Sequence, residues 1–321
     1  MATTIVTGAS GFAASYVLDR IGHRGPVIGW RRSRPADPAA DARIQWHTVD
    51  VLNRDAVDSA IAEAQPDVVY HLAGAAQVDT SWHNVAPHLA TNALGTHHVL
   101  RAVRRLRRPC RVLIVTSAQI YQPGDDPISE SAPLLPPSPY GLSKLAQDQL
   151  ALHAARDEGM DVVIARPFNH AGPRQDPVFA VPGFARQIAR IEAGLAPPVI
   201  RVGNLDARRD LTDVRDVAEA YVRIVESAPR GRPYNVCSGR AWRIGDLLEE
   251  LLHLSTATIT VEHDPARMRP NDVPVLQGNA ARARAELSWT PHIPIEQTLQ
   301  DTLEYWRDRT TDETSGDRAI G

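Results

Sequence analysis

The chain has 321 residues, 43% of them hydrophobic and 23% charged, with a formal net charge of −3. This balance excludes a disordered or collagen-like chain and supplies apolar material for one large core or two modest ones. With 35 basic against 38 acidic residues, no whole-surface positive field advertises a nucleic acid or an acidic membrane, and any polyanion it binds is expected to be small. The two cysteines, Cys110 and Cys237, lie far apart without metal-ligand spacing. Neither a disulfide scaffold nor a zinc site is expected, and a reducing cytoplasm fits. No apolar run approaches the roughly 18 residues of a membrane helix, and a strand beginning by Thr3 argues against a cleavable leader.

The first half alternates short apolar runs with helical patterns, which predicts a parallel sheet wrapped by helices. TTIVT (Thr3 to Thr7) reads as strand, followed by a glycine turn and a helix near Phe12 to Ile21, and PVIGW (Pro26 to Trp30) is a second strand. A third strand precedes Asp50, Asn53 caps a helix to about Ala64, and Asp67 to Leu72 is strand. Asn84 to Leu106 is largely helix, RVLIVT (Arg111 to Thr116) strand, Ser138 to Ala155 helix and VVIA (Val162 to Ala165) strand. After Arg166, prolines at 167, 173, 177, 182, 197 and 198 loosen the pattern. Helices over Asp213 to Ser227 and Ile244 to Leu254 and a strand over Tyr234 to Val236 remain legible, and the polar tail from about Thr310 is expected to fray. The fold class is therefore α/β: a doubly wound parallel sheet of Rossmann type over residues 1–166, with segments near 205–240 returning to it. A smaller C-terminal substrate-binding domain covers 167–309, ahead of a flexible tail at 310–321.

TGASGFAA places Gly8, Ser10, Gly11 and Phe12 directly after the first strand and at the mouth of the first helix. Backbone without side chains there lets a pyrophosphate approach unpaired N–H groups and the positive end of the helix dipole. The second strand should end at the adenosine ribose, where an acidic residue favours NAD and a basic one accommodates the extra phosphate of NADP. The sequence GWRRSR offers Arg31 and Arg32 and no carboxylate, so NADP(H) is preferred and NAD(H) is the alternative. Asp50 and Val51 are candidates for the adenine edge, with a plain surface turn as the competing reading.

Of the 35 basic residues, 34 are Arg and a single one, Lys144, is Lys. It falls four residues after Tyr140 in SPYGLSK, which places both on one helix face. An ammonium acts as a compact point charge beside a phenol and a ribose hydroxyl, which a guanidinium cannot imitate. Lys144, together with a nicotinium ring, is expected to lower the phenol pKa so that Tyr140 serves as general acid and base near neutral pH. Ser117 closes the strand VLIVT at the carboxyl edge, where open α/β sheets bind ligands, and could hydrogen-bond the oxygen whose proton Tyr140 handles.

With TGASGF, the HLAG stretch carrying Leu72, Ala73 and Gly74, TSAQIY (Thr116 to Tyr121) and YGLSK (Tyr140 to Lys144), the chain resembles the extended short-chain dehydrogenase/reductase family. RPFNHAGP, VGNLDARRDLTDVRDV, YNVCSG and MRPNDVPVLQGN resemble its GDP-sugar branch, which contains GDP-mannose 4,6-dehydratase and GDP-6-deoxy-4-keto-hexose reductase. The resemblance runs from about Thr3 to Trp306. It implies catalytic roles for Ser117, Tyr140 and Lys144, and cofactor contacts at the glycine turn and at Leu72, Ala73 and Gly74. It also implies Asn169 over the substrate or nicotinamide, Arg209 and Arg269 on the nucleotide pyrophosphate, and Arg186 and Arg190 as further substrate candidates. Gln77, Val78, Asp79, Ser81 and Trp82 would line the sugar pocket, and a homodimer through a four-helix interface of Asn84 to Leu106 and Ser138 to Ala155 is implied as well. In one departure, Gln119 stands where the dehydratases carry the glutamate that removes the proton on sugar carbon 5. An amide cannot do this at neutral pH. Gln122 also replaces the usual glycine after Tyr121.

The arginine run from Arg101 to Arg111 is interleaved with Val103 and Leu106 at helical spacing and reads as a solvated helix face. His97 and His98 are adjacent, hence on different helix sides, and no metal is expected. The reading is a cytoplasmic, NADPH-dependent reductase of a nucleotide-linked 4-keto-6-deoxy sugar, most simply GDP-4-keto-6-deoxymannose to GDP-rhamnose. The alternatives are a nucleotide-sugar 4-epimerase or 4,6-dehydratase with tightly bound NAD(P), and a non-enzymatic NADP sensor or scaffold.

Overall fold

In the computed structural model the described residues are 2–33, 43–76, 81–267 and 273–318, with side chains as far as 312. Seven parallel strands form the central sheet: β1 (Thr4–Thr7), β2 (Val27–Arg31), β3 (Ile44–Thr48), β4 (Val68–His71), β5 (Arg111–Val115), β6 (Val162–Pro167) and, after three strands placed elsewhere, β10 (Pro233–Val236). Their order is β10-β6-β5-β4-β1-β2-β3, so the chain reverses direction across the sheet between β1 and β4. The apolar runs alternate faces. Ile5, Val69, Val112, Ile114, Val162 and Ile164 enter one core, and Val6, Tyr70, Leu113, Val163 and Ala165 the other. A sheet buried on both faces explains why these strands read as continuous apolar runs.

Helices Phe12–Ile21 and Val214–Ser227 cover one face; Arg54–Ala64, Gly95–Arg104 and Pro139–Arg156 cover the other. The long helix expected over Asn84 to Leu106 is interrupted. Val85–Leu89 leads into a π turn, Ala90–Leu94, before Gly95–Arg104. At the restart Gly95 rests on Val51, whose Cγ2 would lie 2.9 Å from an added Cβ. The basic run is a salt-bridged face: Arg101 and Arg105 reach Asp58, Arg104 reaches Glu158 and Arg111 reaches Asp161.

Beyond β6 the chain builds a four-stranded sheet from β7 (Asn169–Ala171), β9 (Arg208–Asp213), β11 (Ala241–Arg243) and β13 (Val275–Leu276), and a pair from β8 (Val199–Val202) and β12 (Thr260–His263). Helices Ala180–Glu192, Ile244–His253 and Ile295–Arg318 close a separate core around Ile188, Leu247, Leu251, Leu299, Leu303 and Trp306. Pro182 does not prevent the first of these helices, because it lies in the opening turn, where the missing N–H has no intrahelical partner. The last helix continues to Arg318, with Thr310 2% exposed and its hydroxyl donating to the Trp306 carbonyl at 2.8 Å. No helix of the described residues is long and apolar enough to cross a membrane.

Candidate active site

Parallel register aligns the strand ends: Thr7 lies opposite both Trp30 and His71. The turns after β1, β2, β4 and β5 therefore emerge at one edge of the sheet. Gly8 has φ +64°, and a Cβ on it would stand 2.7 Å from the Ala73 Cα, so only glycine lets the first turn pass the turn after β4. Ala9 N–H donates to the Trp30 carbonyl at 2.8 Å, and Gly11 caps the helix Phe12–Ile21 without a side-chain hydrogen bond. No acidic residue lies in the first turn of this helix, which keeps its N–H groups available to an anion. Ser10, Gly11 and Phe12 line a cavity of about 380 Å³ together with Arg174 and Arg309.

At the end of β2 the Arg31 guanidinium lies 5.2 Å from the Trp46 ring centroid, its Nε buried without a hydrogen-bond partner, and Arg32 is exposed. Asp50 holds its own turn, accepting the Leu52 N–H at 2.9 Å, and Val51 is buried against Gly95.

Ser138 opens the helix Pro139–Arg156 by accepting the Gly141 N–H at 3.1 Å, with Pro139 in its first turn. A Cβ on Gly141 would lie 2.3 Å from the Gln119 carbonyl oxygen. Glycine there seats the helix directly on the turn Ala118–Ile120, which Ser117 caps by accepting the Gln119 N–H at 3.1 Å. Ser117 and Tyr140 are each 8% exposed and Lys144 7%. Burial raises the Tyr140 phenol above its ordinary value, and the hydrogen bond with Ser117 offsets this in part. The expected lowering by Lys144 and a nicotinium ring belongs to the cofactor-bound state. Lys144 Nζ donates to the Val115 carbonyl at 3.1 Å and to Gln147 Oε1 at 2.8 Å, and burial pushes the ammonium itself down to about 7.

Thr96, Gln147 and Asn92 around this group carried no signal in the sequence reading, and His71 entered it only as the first residue of HLAG. His71 lies between Thr7 (2.8 Å) and Thr96 (2.9 Å), and Gln147 also reaches Thr96 (2.9 Å). Asn92, turned inward by the π turn, bonds the Ala75 N–H at 2.9 Å and Ser143 at 2.8 Å. Asn92 and Thr96 are four residues apart, but that spacing is common on helices and becomes informative only once the helix is docked.

The substrate candidates are more dispersed. Gln77 and Arg269, with Val78 and Asp79, lie outside the described residues. Ser81 is fully buried and Trp82 is 48% exposed. Gln119 is half-buried beside Ser117, and Asn169 is exposed at the start of β7. Arg209 in β9 donates to the carbonyls of Arg208 (2.8 Å) and Val273 (2.7 Å). Arg186 and Arg190 are half-buried on the helix Ala180–Glu192, Arg186 with its guanidinium over the Trp306 ring. Contacts thus join Ser117 with Gln119 and Tyr140, and Lys144 with Gly74, whereas Arg186, Arg190 and Arg209 belong to the smaller unit. Tyr121 is a structural phenol, donating to Asn235 at 2.8 Å and accepting from Arg166 at 2.9 Å. Among the described residues one cluster has metal-ligand types, Asp216, Glu219 and His292. Asp216 accepts the N–H groups of His292 and Ile293, and Glu219 pairs with Arg20 and Arg223, so it clamps a turn onto a helix.

Residues 5–302 match the GDP-mannose 4,6 dehydratase family. The chain belongs to that family. Among its relatives is GDP-6-deoxy-D-mannose reductase of Pseudomonas aeruginosa, 37% identical over 270 residues that cover 83% of this chain and 88% of that one. UDP-glucose 4-epimerase of Mycolicibacterium smegmatis is 29% identical, covering 96% of this chain and 99% of that one. The solved structure of RMD from Pseudomonas aeruginosa complexed with NADPH is similar at a TM-score of 0.84 and 33% identity, over 96% of this chain and 100% of that one.

Proposed function

We propose that the protein reduces a nucleotide-linked 4-keto-6-deoxy sugar with NADPH, converting GDP-4-keto-6-deoxymannose to GDP-rhamnose. The observation that carries this reading is the buried Tyr140 phenol, hydrogen-bonded by Ser117 at the sheet edge where the glycine turn also opens. The residues present fit a dinucleotide phosphate: a helix mouth with no side-chain cap and no acid in its first turn, a Gly74 without a side chain beside Lys144, and Arg31 with an unpaired buried Nε. NADPH, when bound, supplies the hydride that adds to sugar carbon 4.

Tyr140 donates its phenolic proton to the oxygen on that carbon, and Ser117 donates a hydrogen bond to the same oxygen. The epimerase relative keeps the runner-up reading in view. Gln119 weighs against dehydration, since no carboxylate stands there to take a proton from carbon 5. Asn169, Arg209, Arg269, Arg186 and Arg190, with Gln77, Ser81 and Gln119, are proposed to hold the sugar nucleotide, most of them from residues 167–309. Leu94 and Leu142, 47% and 49% exposed on the two helical stretches named for pairing, support a homodimer. Free, buried Cys110 and Cys237 fit a cytoplasmic location.

The test is NADPH consumption with GDP-4-keto-6-deoxymannose, followed by separation of the nucleotide sugars. One NADPH oxidised per sugar reduced is expected, and Tyr140→Phe should lower turnover about 10²–10⁴-fold while NADPH still binds. Conversion of a sugar nucleotide without added cofactor, or full activity in the Phe variant, overturns the assignment.

A further inference from the structure

We infer that Gln147 is a positioning residue for Lys144, its side-chain carbonyl fixing where the ammonium points and favouring the charged form. The inference rests on the reading of Lys144 as part of the site, but its geometry stands alone. The Thr96 hydroxyl donates to the Asn92 carbonyl at 2.6 Å, so its oxygen can only accept from its other two neighbours. His71 Nε2, at 2.9 Å, must therefore carry the proton, and so must the Gln147 amide nitrogen, at 2.9 Å. With His71 protonated on Nε2, its Nδ1 accepts from the Thr7 hydroxyl at 2.8 Å, and the Thr7 oxygen accepts the Ala73 N–H at 3.1 Å. Every donor has one acceptor along this buried chain, and its direction leaves Gln147 a single orientation, with Oε1 toward Lys144. A flipped amide would set two acceptors against each other at Thr96 and an N–H₂ against the ammonium.

Two of the three Lys144 N–H bonds go to Val115 and Gln147. The third is left for the side where Gly74 carries no side chain, since a Cβ there would stand 3.3 Å from Nζ. The chain thus ties the glycine turn, through Thr7 and Ala73, to the direction of the one lysine. The titratable groups facing Lys144 are His71 from β4 and Tyr140, one turn back on its own helix. Asp148, next to Gln147, is committed to Arg166 at 2.7 and 2.9 Å. Burial, with Lys144 nearby, pushes His71 down to about 3, in keeping with a neutral ring of fixed tautomer.

Because the protein has a single lysine, one side-chain NMR signal of protein labelled with ¹³C-lysine reports this ammonium directly, without substrate or cofactor. The wild-type midpoint is expected near 7. Gln147→Leu, which removes the acceptor, should lower it by about 1 pH unit, and Gln147→Glu, which keeps an acceptor and adds a charge, should raise it. A role in packing alone predicts that both variants move the midpoint the same way or leave it in place, and either result overturns the inference. In wild-type protein, ¹⁵N imidazole shifts should show His71 as the neutral Nε2–H tautomer at neutral pH. The other tautomer, or a charged ring, breaks the donor chain and the inference with it, whether or not the variants fold. Activity is not read in any arm, so failure of the reductase assignment remains distinguishable.

Discussion

At Gln119 a single atom exchange separates two reactions. An amide oxygen beside Ser117 can accept a hydrogen bond from a sugar hydroxyl but cannot remove a carbon-bound proton. Gln119→Glu should therefore introduce exchange of the carbon 5 proton, measured as deuterium uptake into GDP-4-keto-6-deoxymannose in heavy water, above the wild-type level. Exchange that stays at background sinks the missing-base account. Tyr140 and Lys144 show the opposite limit of residue-scale reading. Their spacing and the scarcity of lysine singled out the pair as candidates, but not the surroundings of either group. Spacing carries no information on burial, and burial raises the phenol while Val115 and Gln147 hold the ammonium.

At the scale of elements, the contact between the helix Pro139–Arg156 and the turn Ala118–Ile120 sets how Tyr140 meets Ser117. Gly141 has no room for a methyl group against the Gln119 carbonyl. Gly141→Ala should destabilise the fold by about 1–3 kcal/mol and lower turnover in the same variant, as read by urea denaturation and NADPH consumption. Unchanged values in both would show that the helix can shift without consequence. The strands and helices of the first half were legible because each apolar run ends in a turn signal and each helix has an amphipathic period. The π turn Ala90–Leu94 was not, since the helical pattern continues through it; the extra backbone width that aims Asn92 inward depends on Ala75 and Ser143, far away in the chain. The helix Ala180–Glu192 was hidden by Pro182, which breaks a helix interior but not an opening turn.

For the whole molecule, two cores on the faces of one sheet support the cofactor edge, and a third core supports the smaller sheet that carries Asn169 and Arg209. The exposed Leu94 and Leu142 belong to the surface proposed for pairing. Replacing both by Glu should convert a dimer to a monomer in sedimentation without loss of NADPH binding. A wild-type monomer, or a double variant that still pairs, removes that interface. The sequence by itself determined the doubly wound sheet and the glycine turn, and singled out Ser117, Tyr140 and Lys144 as candidates, because local periodicity and rare residues report on single elements. Only the tertiary structure decided the direction of the Lys144 ammonium, the neutral tautomer of His71 and the inward turn of Asn92. Each depends on hydrogen bonds between groups separated by tens of residues, whose donor and acceptor roles exist only once the strands and helices have packed.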